Sequence, residues 1–294
     1  MKRAIILFTL IITSSISAIA LEQLEISGTV DWESMRLDAE VSLDLASVGL
    51  RLPSGRTQAE ALLGAGYLSL IRPHLFNLQA DSSSTIGDLV ARGELSLLQT
   101  DVIARSGINI PPAMRPDMRK IYELHTIYFS NITYTLARNS RPNPVIRTLN
   151  PVSSARYTGI IIIAAESLPI HGMRSSVLPV PCLFPKIWDT DMNLIYDKTM
   201  LEARNVNMVR YSSLQNIFQE NPSGLTAELR QAVGERPLRI FARGVFGINP
   251  TDLIIDRNDA LLIISGEENR NLLSQGRVVI VLDDSVLKYN FGKE

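Results

Sequence analysis

Three histidines, one cysteine and two short acidic runs are the side chains of this chain that could do chemistry. His74, His125 and His171 lie far apart, and none has a second His or Cys at metal-ligand spacing. Folding can unite distant residues, as in catalytic triads, so the decisive test is spatial. Asp189-Thr190-Asp191-Met192-Asn193 imitates the opening of a calcium loop, which needs Gly at its sixth position and Glu at its twelfth. Leu194 and Met200 stand there instead, so the segment reads as a polar turn. Asp252, Asp256 and Asp259 could be imagined as a metal cluster. A helix starting after Asp256 uses Asp256 as its cap and Asp259 in its first turn at lower cost.

The phosphate and acyl-transfer motifs fail too. Gly244 and Gly247 flank Val245-Phe246 without the third glycine of a dinucleotide-binding turn, and there is no Gly-x-Ser-x-Gly elbow. Asn131-Ile132-Thr133 is an N-glycosylation sequon by pattern alone. Cys182, in Pro179-Val180-Pro181-Cys182-Leu183, has no partner for an internal disulfide and reads as a small buried hydrophobe. The residues alone lead us to expect no catalytic, cofactor-binding or metal site, and no enzyme.

Composition bounds what the positioning elements must be. The chain has 294 residues, 46% apolar and 20% charged, enough apolar surface to offset chain entropy and exclude dominant disorder. One large or two modest domains are expected. The net charge of −1 leaves no basic excess for phosphates, so a nucleic-acid partner is not expected. Met1-Lys2-Arg3, the apolar run Ala4 to Ile12 and the small-x-small Ala18-Ile19-Ala20 form the three regions of a secretory signal, residues 1–20. Its core is too short to span a bilayer. Cleavage would take the charge from −1 to −3, and no cysteine lies near that point to carry a lipid. No later stretch is long enough to be a transmembrane span.

The periodicity predicts an α+β fold of two lobes: mostly antiparallel sheets, with one or two helices packed on each. In the N-terminal lobe, 21–138, Asp38 to Leu45 alternates as a strand. A helix follows Leu52-Pro53-Ser54-Gly55, with Thr57 and Glu60 as a capping box and Ala59, Leu62, Leu63, Gly66, Tyr67 and Leu70 as its apolar stripe. Pro73 is expected to stop it after Arg72. Asp81-Ser82-Ser83-Ser84 reads as a turn before a short helix from Thr85 to Arg92. Leu95 to Ala104 and Ile127 to Leu136 read as strands. The proline-rich stretch 139–153 is the expected linker.

In the C-terminal lobe, 154–294, the run Ile160-Ile161-Ile162-Ile163 reads as a strand buried on both faces. Ile187-Trp188 and Leu194-Ile195-Tyr196 form a hairpin about the polar turn. Strands follow at Leu238 to Val245, Leu253 to Ile255 and Arg277 to Leu282, with a helix capped by Asp256.

Three C-terminal segments carry a family likeness. Tyr157-Thr158-Gly159 opens the apolar strand, and Pro185-Lys186-Ile187-Trp188-Asp189 leads through a hairpin to Leu194-Ile195-Tyr196. Pro237-Leu238-Arg239-Ile240-Phe241-Ala242 precedes Gly247, Asp252-Leu253-Ile254-Ile255 and Asp259-Ala260. In that order they resemble the Gram-negative envelope family that includes the flagellar proteins FlgP and FlgT. Asp31-Trp32 and Gln58-Ala59 add a weaker likeness. The family's hairpin glycine is Asn193 here, and Ala164-Ala165-Glu166 replaces its polar continuation.

The resemblance implies an exported, non-enzymatic structural or assembly protein of the envelope, periplasmic or outer-membrane-associated, beside the flagellar motor. Its implied partners are other envelope or flagellar proteins or further copies of itself, and no catalytic residues or cofactors are carried over. The rival readings are an exported ligand- or glycan-binding module and an exported hydrolase assembled from scattered residues. A pocket lined by His or paired carboxylates would favour the rivals. An exposed sheet edge or apolar patch would favour assembly.

Overall fold

The computed structural model describes residues 23–137, 142–202 and 208–292. The signal segment, residues 1–20, and the start of the linker lie outside the described residues.

The first half begins with a hairpin of β1 (Leu24–Asp31) and β2 (Arg36–Asp44), whose register pairs Gly28 with Ala39. The long α1 (Arg56–Phe76) follows, burying Ala59, Leu63, Gly66, Tyr67, Ile71 and Leu75. Then come β3 (Gln79–Asp81), β4 (Ser84–Thr85), α2 (Ile86–Ala91) and α3 (Leu97–Arg105). An antiparallel pair of β5 (Ile108–Met114) and β6 (Lys120–Tyr128) leads into α4 (Phe129–Leu136).

Four local expectations need correction here. The Thr57 and Glu60 capping box is absent: Gly55 is the N-cap, and Glu60 accepts from Arg56 Nε at 2.8 Å. The helix continues through Pro73 to Phe76 before Asn77 caps it. Leu95 to Ala104 is not a strand. Ser96 accepts from the Gln99 backbone while Gln99 reaches back, a capping box that nucleates α3. Its buried Thr100, Ile103 and Ala104 recur with helical spacing. Ile127 to Leu136 divides in two: β6 ends at Tyr128, and α4 buries Phe129, Ile132 and Thr133 at i, i+3 and i+4. Packing outweighs the strand propensity of its β-branched residues.

The second half is built on seven strands: β7 (Ile160–Ile163), β10 (Ile187–Asp189), β11 (Leu194–Tyr196), β12 (Arg210–Ser212), β13 (Leu238–Phe246), β14 (Asp252–Ile255) and β15 (Val278–Val281). Their order is β11-β10-β14-β13-β7-β15-β12. The small hairpin of β8 (Leu168–Pro169) and β9 (Ser176–Val177) sits against β13. Antiparallel pairs predominate over the whole fold, but β7 lies parallel to both β13 and β15. That position explains its unbroken apolar run, since all four residues are buried.

Ile160 and Ile162 join the large core with α6 (Arg257–Ile264) and α7 (Glu267–Ser274). Ile161 and Ile163 face the other way, against Leu229 and Val233 of α5 (Ala227–Val233). The fold is therefore α+β, with two domains and eight helices among the described residues, the eighth being α8 (Asp284–Leu287).

The halves share one continuous apolar core, in which Trp32 meets Tyr211 edge-on at 5.8 Å. The last strand, β16 (Lys288–Phe291), crosses back and pairs with β1, giving the first sheet the order β16-β1-β2-β6-β5.

Candidate functional site

Where the two halves meet, the tight β1–β2 turn faces the edge strand β12, and a cleft of about 450 Å³ opens between them. A volume of this size is typical of small-molecule sites. Trp32 positions the turn: its ring packs against Phe129 at 4.8 Å and against Tyr211. Glu33 and Ser34 are thereby held at the mouth. Asp31 completes the turn by accepting from the Ser34 backbone at 2.9 Å.

Glu33 reaches across the junction. Its Oε1 accepts from Asn216 Nδ2 and, at 3.4 Å, from Ser212 Oγ. Asn216 also donates to Ser212 Oγ at 3.2 Å. Ser212 is a buried floor residue, while Arg210 and Glu228 are exposed at the rim. Ser130, Thr226 and the ring of Tyr128 complete the wall. Two carboxylates, one guanidinium and several hydroxyls can bind a polar group by hydrogen bonds. No histidine or cysteine is among the residues that line the cleft.

The chemistry-bearing residues singled out in the sequence are dispersed. His74 is half-buried and stacks on Phe291 at 3.9 Å; burial lowers its pKa. His125 lies under α1, its ring stacked on Tyr67 at 3.6 Å, with Nδ1 2.7 Å from Asn109 Oδ1. Its Nε2 is 3.5 Å from Glu123 Oε1, and burial pushes the imidazole down to about 4. His171 is exposed at the β8–β9 turn. Cys182 is fully buried, and desolvation holds its thiol well above the ordinary value.

Asp189 staples the hairpin turn by accepting from the backbones of Asp191 and Asn193, at 3.0 and 2.7 Å. Asp256 caps α6 through the Asn258 backbone, and Asp259 lies in its first turn. Asp252 is buried, accepting from Ser82 Oγ and from the Lys186 backbone, each at 3.0 Å. Burial raises its pKa more strongly than these hydrogen bonds lower it. Among the described residues, no three His, Cys, Asp or Glu side chains come together as a metal site. Asn131 spends its side chain on Ser106.

The sequence reading missed Glu33, Ser212 and Asn216, because no motif contains them. The one local signal was Trp32 beside Asp31, an aromatic anchor next to a turn-forming carboxylate.

No curated protein matches the chain. Residues 23–135 match the model of the N-terminal domain of Treponema pallidum Tp0624, and residues 159–284 match that of its second domain. Neither match links the chain to FlgP or FlgT. The first match ends one residue before the end of α4 and the second begins one residue before β7, so each half of the fold, taken separately, is similar to the corresponding domain of Tp0624.

Proposed function

We propose that this chain is an exported, non-enzymatic assembly protein of the cell envelope, periplasmic or bound at the outer membrane. The observation that supports this is an apolar flank on the first half. Leu97, Leu98 and Val102 on α3 are exposed, and α3 runs within two residues into β5, whose Ile108 and Ile110 are exposed as well. Tyr134 on the adjoining α4 adds a ring. β5 is also the open edge of its sheet, which offers unpaired backbone groups. Pro111 and Pro112 blunt only its second half, where the register with β6 shifts. Surfaces of this kind mark sites of protein association. The resemblance to FlgP and FlgT supports a place near the flagellar motor, with envelope proteins or further copies of the chain as partners.

Light scattering of the mature protein, alone and with envelope extract, tests this reading. Assembly or capture of an envelope protein is expected, and Leu98→Glu with Val102→Glu should abolish it. A chain that stays monomeric at every concentration and binds nothing from the extract ends the reading. Export is tested by intact mass: the protein from its native cell should lack residues 1–20, and full-length protein held in the cytoplasm would refute it.

A second reading, a ligand-binding module, is favoured by the junction cleft with Glu33 fixed at its mouth. Loss of function in Glu33→Ala with an intact fold would bring it forward.

A further inference from the structure

We infer that one end of the second half docks onto an anionic bilayer surface. Two loop tips project there. The β8–β9 turn, closed by a hydrogen bond from the Met173 backbone to the Ile170 carbonyl, carries exposed Met173. The β13–β14 turn carries Ile248, 86% exposed. The tips are tied together. The His171 backbone donates to the Val245 carbonyl at 2.9 Å, and the His171 ring meets Phe246 at 5.9 Å. Phe246 in turn meets the half-buried Trp188 at 5.8 Å. Exposed Phe241 lies further along β13. Protruding aliphatic tips above a ring of aromatic side chains suit the interfacial zone of a bilayer.

Charge selects the partner. Residues 167–188 and 236–251, which carry these side chains, contain no Asp or Glu, although Glu166, Asp189, Glu235 and Asp252 border them. They contain Arg174 beside Met173, Lys186 two residues before Trp188, and Arg243 two residues beyond Phe241. The carboxylates facing them are few. Asp252 is buried beneath Trp188, Asp259 on α6 feels Arg243, and Asp81 is engaged with Ser83 in its own turn. Exposed apolar residues flanked by an excess of cations fit anionic lipid headgroups rather than a neutral surface. This docking lies apart from the α3–β5 flank and does not depend on it.

Co-sedimentation of the mature chain with vesicles decides the matter. We expect binding to phosphatidylcholine mixed equally with phosphatidylglycerol, little binding to phosphatidylcholine alone, and weakening as salt rises. Arg174→Gln should weaken binding about fivefold, the effect expected of one cation at an anionic surface. Met173→Ser with Ile248→Ser should weaken it at both salt extremes; both side chains are exposed, so the fold tolerates the changes. No binding to the anionic vesicles, equal binding to both vesicle types, or variants that bind as the parent does would each overturn the inference. So would binding to soluble heparin with none to vesicles, which would point to an acidic macromolecule.

Discussion

Ser82 and Asp252 join the two halves through one hydrogen bond, Ser82 Oγ donating to Asp252 Oδ2 at 3.0 Å across 170 residues of sequence. Both residues are buried. The contact sits in a seam of backbone bonds: Leu183 donates to the Gln79 carbonyl, Phe184 to that of Ala80, and Asn249 to that of Ser82. Gly247, at a φ of 109°, lies so close that a Cβ there would overlap Ser82. The seam forms only if the β3–β4 turn and the β13–β14 turn are both in place, so it couples the halves.

Asp252→Ala should therefore cost about 3 kcal/mol, since it strands several buried donors at once. Ser82→Ala removes one partner and should cost about 1 kcal/mol. Urea titrations of both variants check the order. Equal losses would mean that the carboxylate's other partners, Lys186 and Trp188, contribute nothing.

His125 makes stability depend on acidity. The folded protein holds it neutral down to about 4, whereas the unfolded chain takes up the proton near the ordinary value of about 6.5. Between those values the unfolded state binds more protons, so stability falls as the pH drops through this window. Glu123 acts oppositely: burial raises its pKa, so the folded state gains its proton first on acidification. Tyr67 remains neutral throughout, and Arg105 is the cation whose field reaches it. His125→Gln should flatten the acid decline seen in thermal melts, and Glu123→Gln should steepen it. An unchanged profile in His125→Gln would place the acid sensitivity elsewhere.

How far the sequence could be read depended on whether local pattern and burial agreed. β7 was legible because a parallel strand between two others must be apolar on both faces, and Ile160 to Ile163 are. The Asp256-capped α6 was legible because its signal is local. α3 and α4 were misread because β-branched and apolar residues were weighed above the Ser96 and Gln99 cap and the 3–4 spacing of buried positions. β16 was missed because its partner, β1, lies more than 250 residues away, a pairing without local trace. The junction cleft was illegible for the same reason. Glu33 and Asn216 acquire a joint meaning only after β12 is laid beside the first sheet.

The last strand gives a test of how the halves depend on each other. β16 covers β1 in register from Gly28–Phe291 to Asp31–Lys288, and the Trp32 backbone donates to the Leu287 carbonyl at 2.9 Å. Deleting residues 288–294 would leave β1 as an open edge, a template for pairing between chains. It would also uncover His74, which stacks on Phe291. The truncated chain should melt earlier and aggregate with concentration; size-exclusion profiles of parent and truncation identical at all concentrations would show β16 to be dispensable.

Cys182 supplies a probe of the core that its chemistry leaves silent in the native state. The residue is fully buried, and both its backbone groups are used by one phenol: its N–H donates to Tyr211 Oη at 3.0 Å, and Tyr211 donates to its carbonyl at 2.8 Å. Desolvation raises the thiol's pKa, so little thiolate exists near neutrality, and the thiolate is the form that reacts. A thiol reagent should therefore label no Cys182 in the folded protein and all of it in urea. The labelling rate at intermediate urea should follow unfolding as read by tryptophan fluorescence, because Tyr211 also contacts Trp32. Tyr211→Phe keeps the ring but removes both hydrogen bonds to Cys182, and labelling should accelerate in step with the lost stability. Rapid modification of the native parent would contradict the packing and make Cys182 a reactive site.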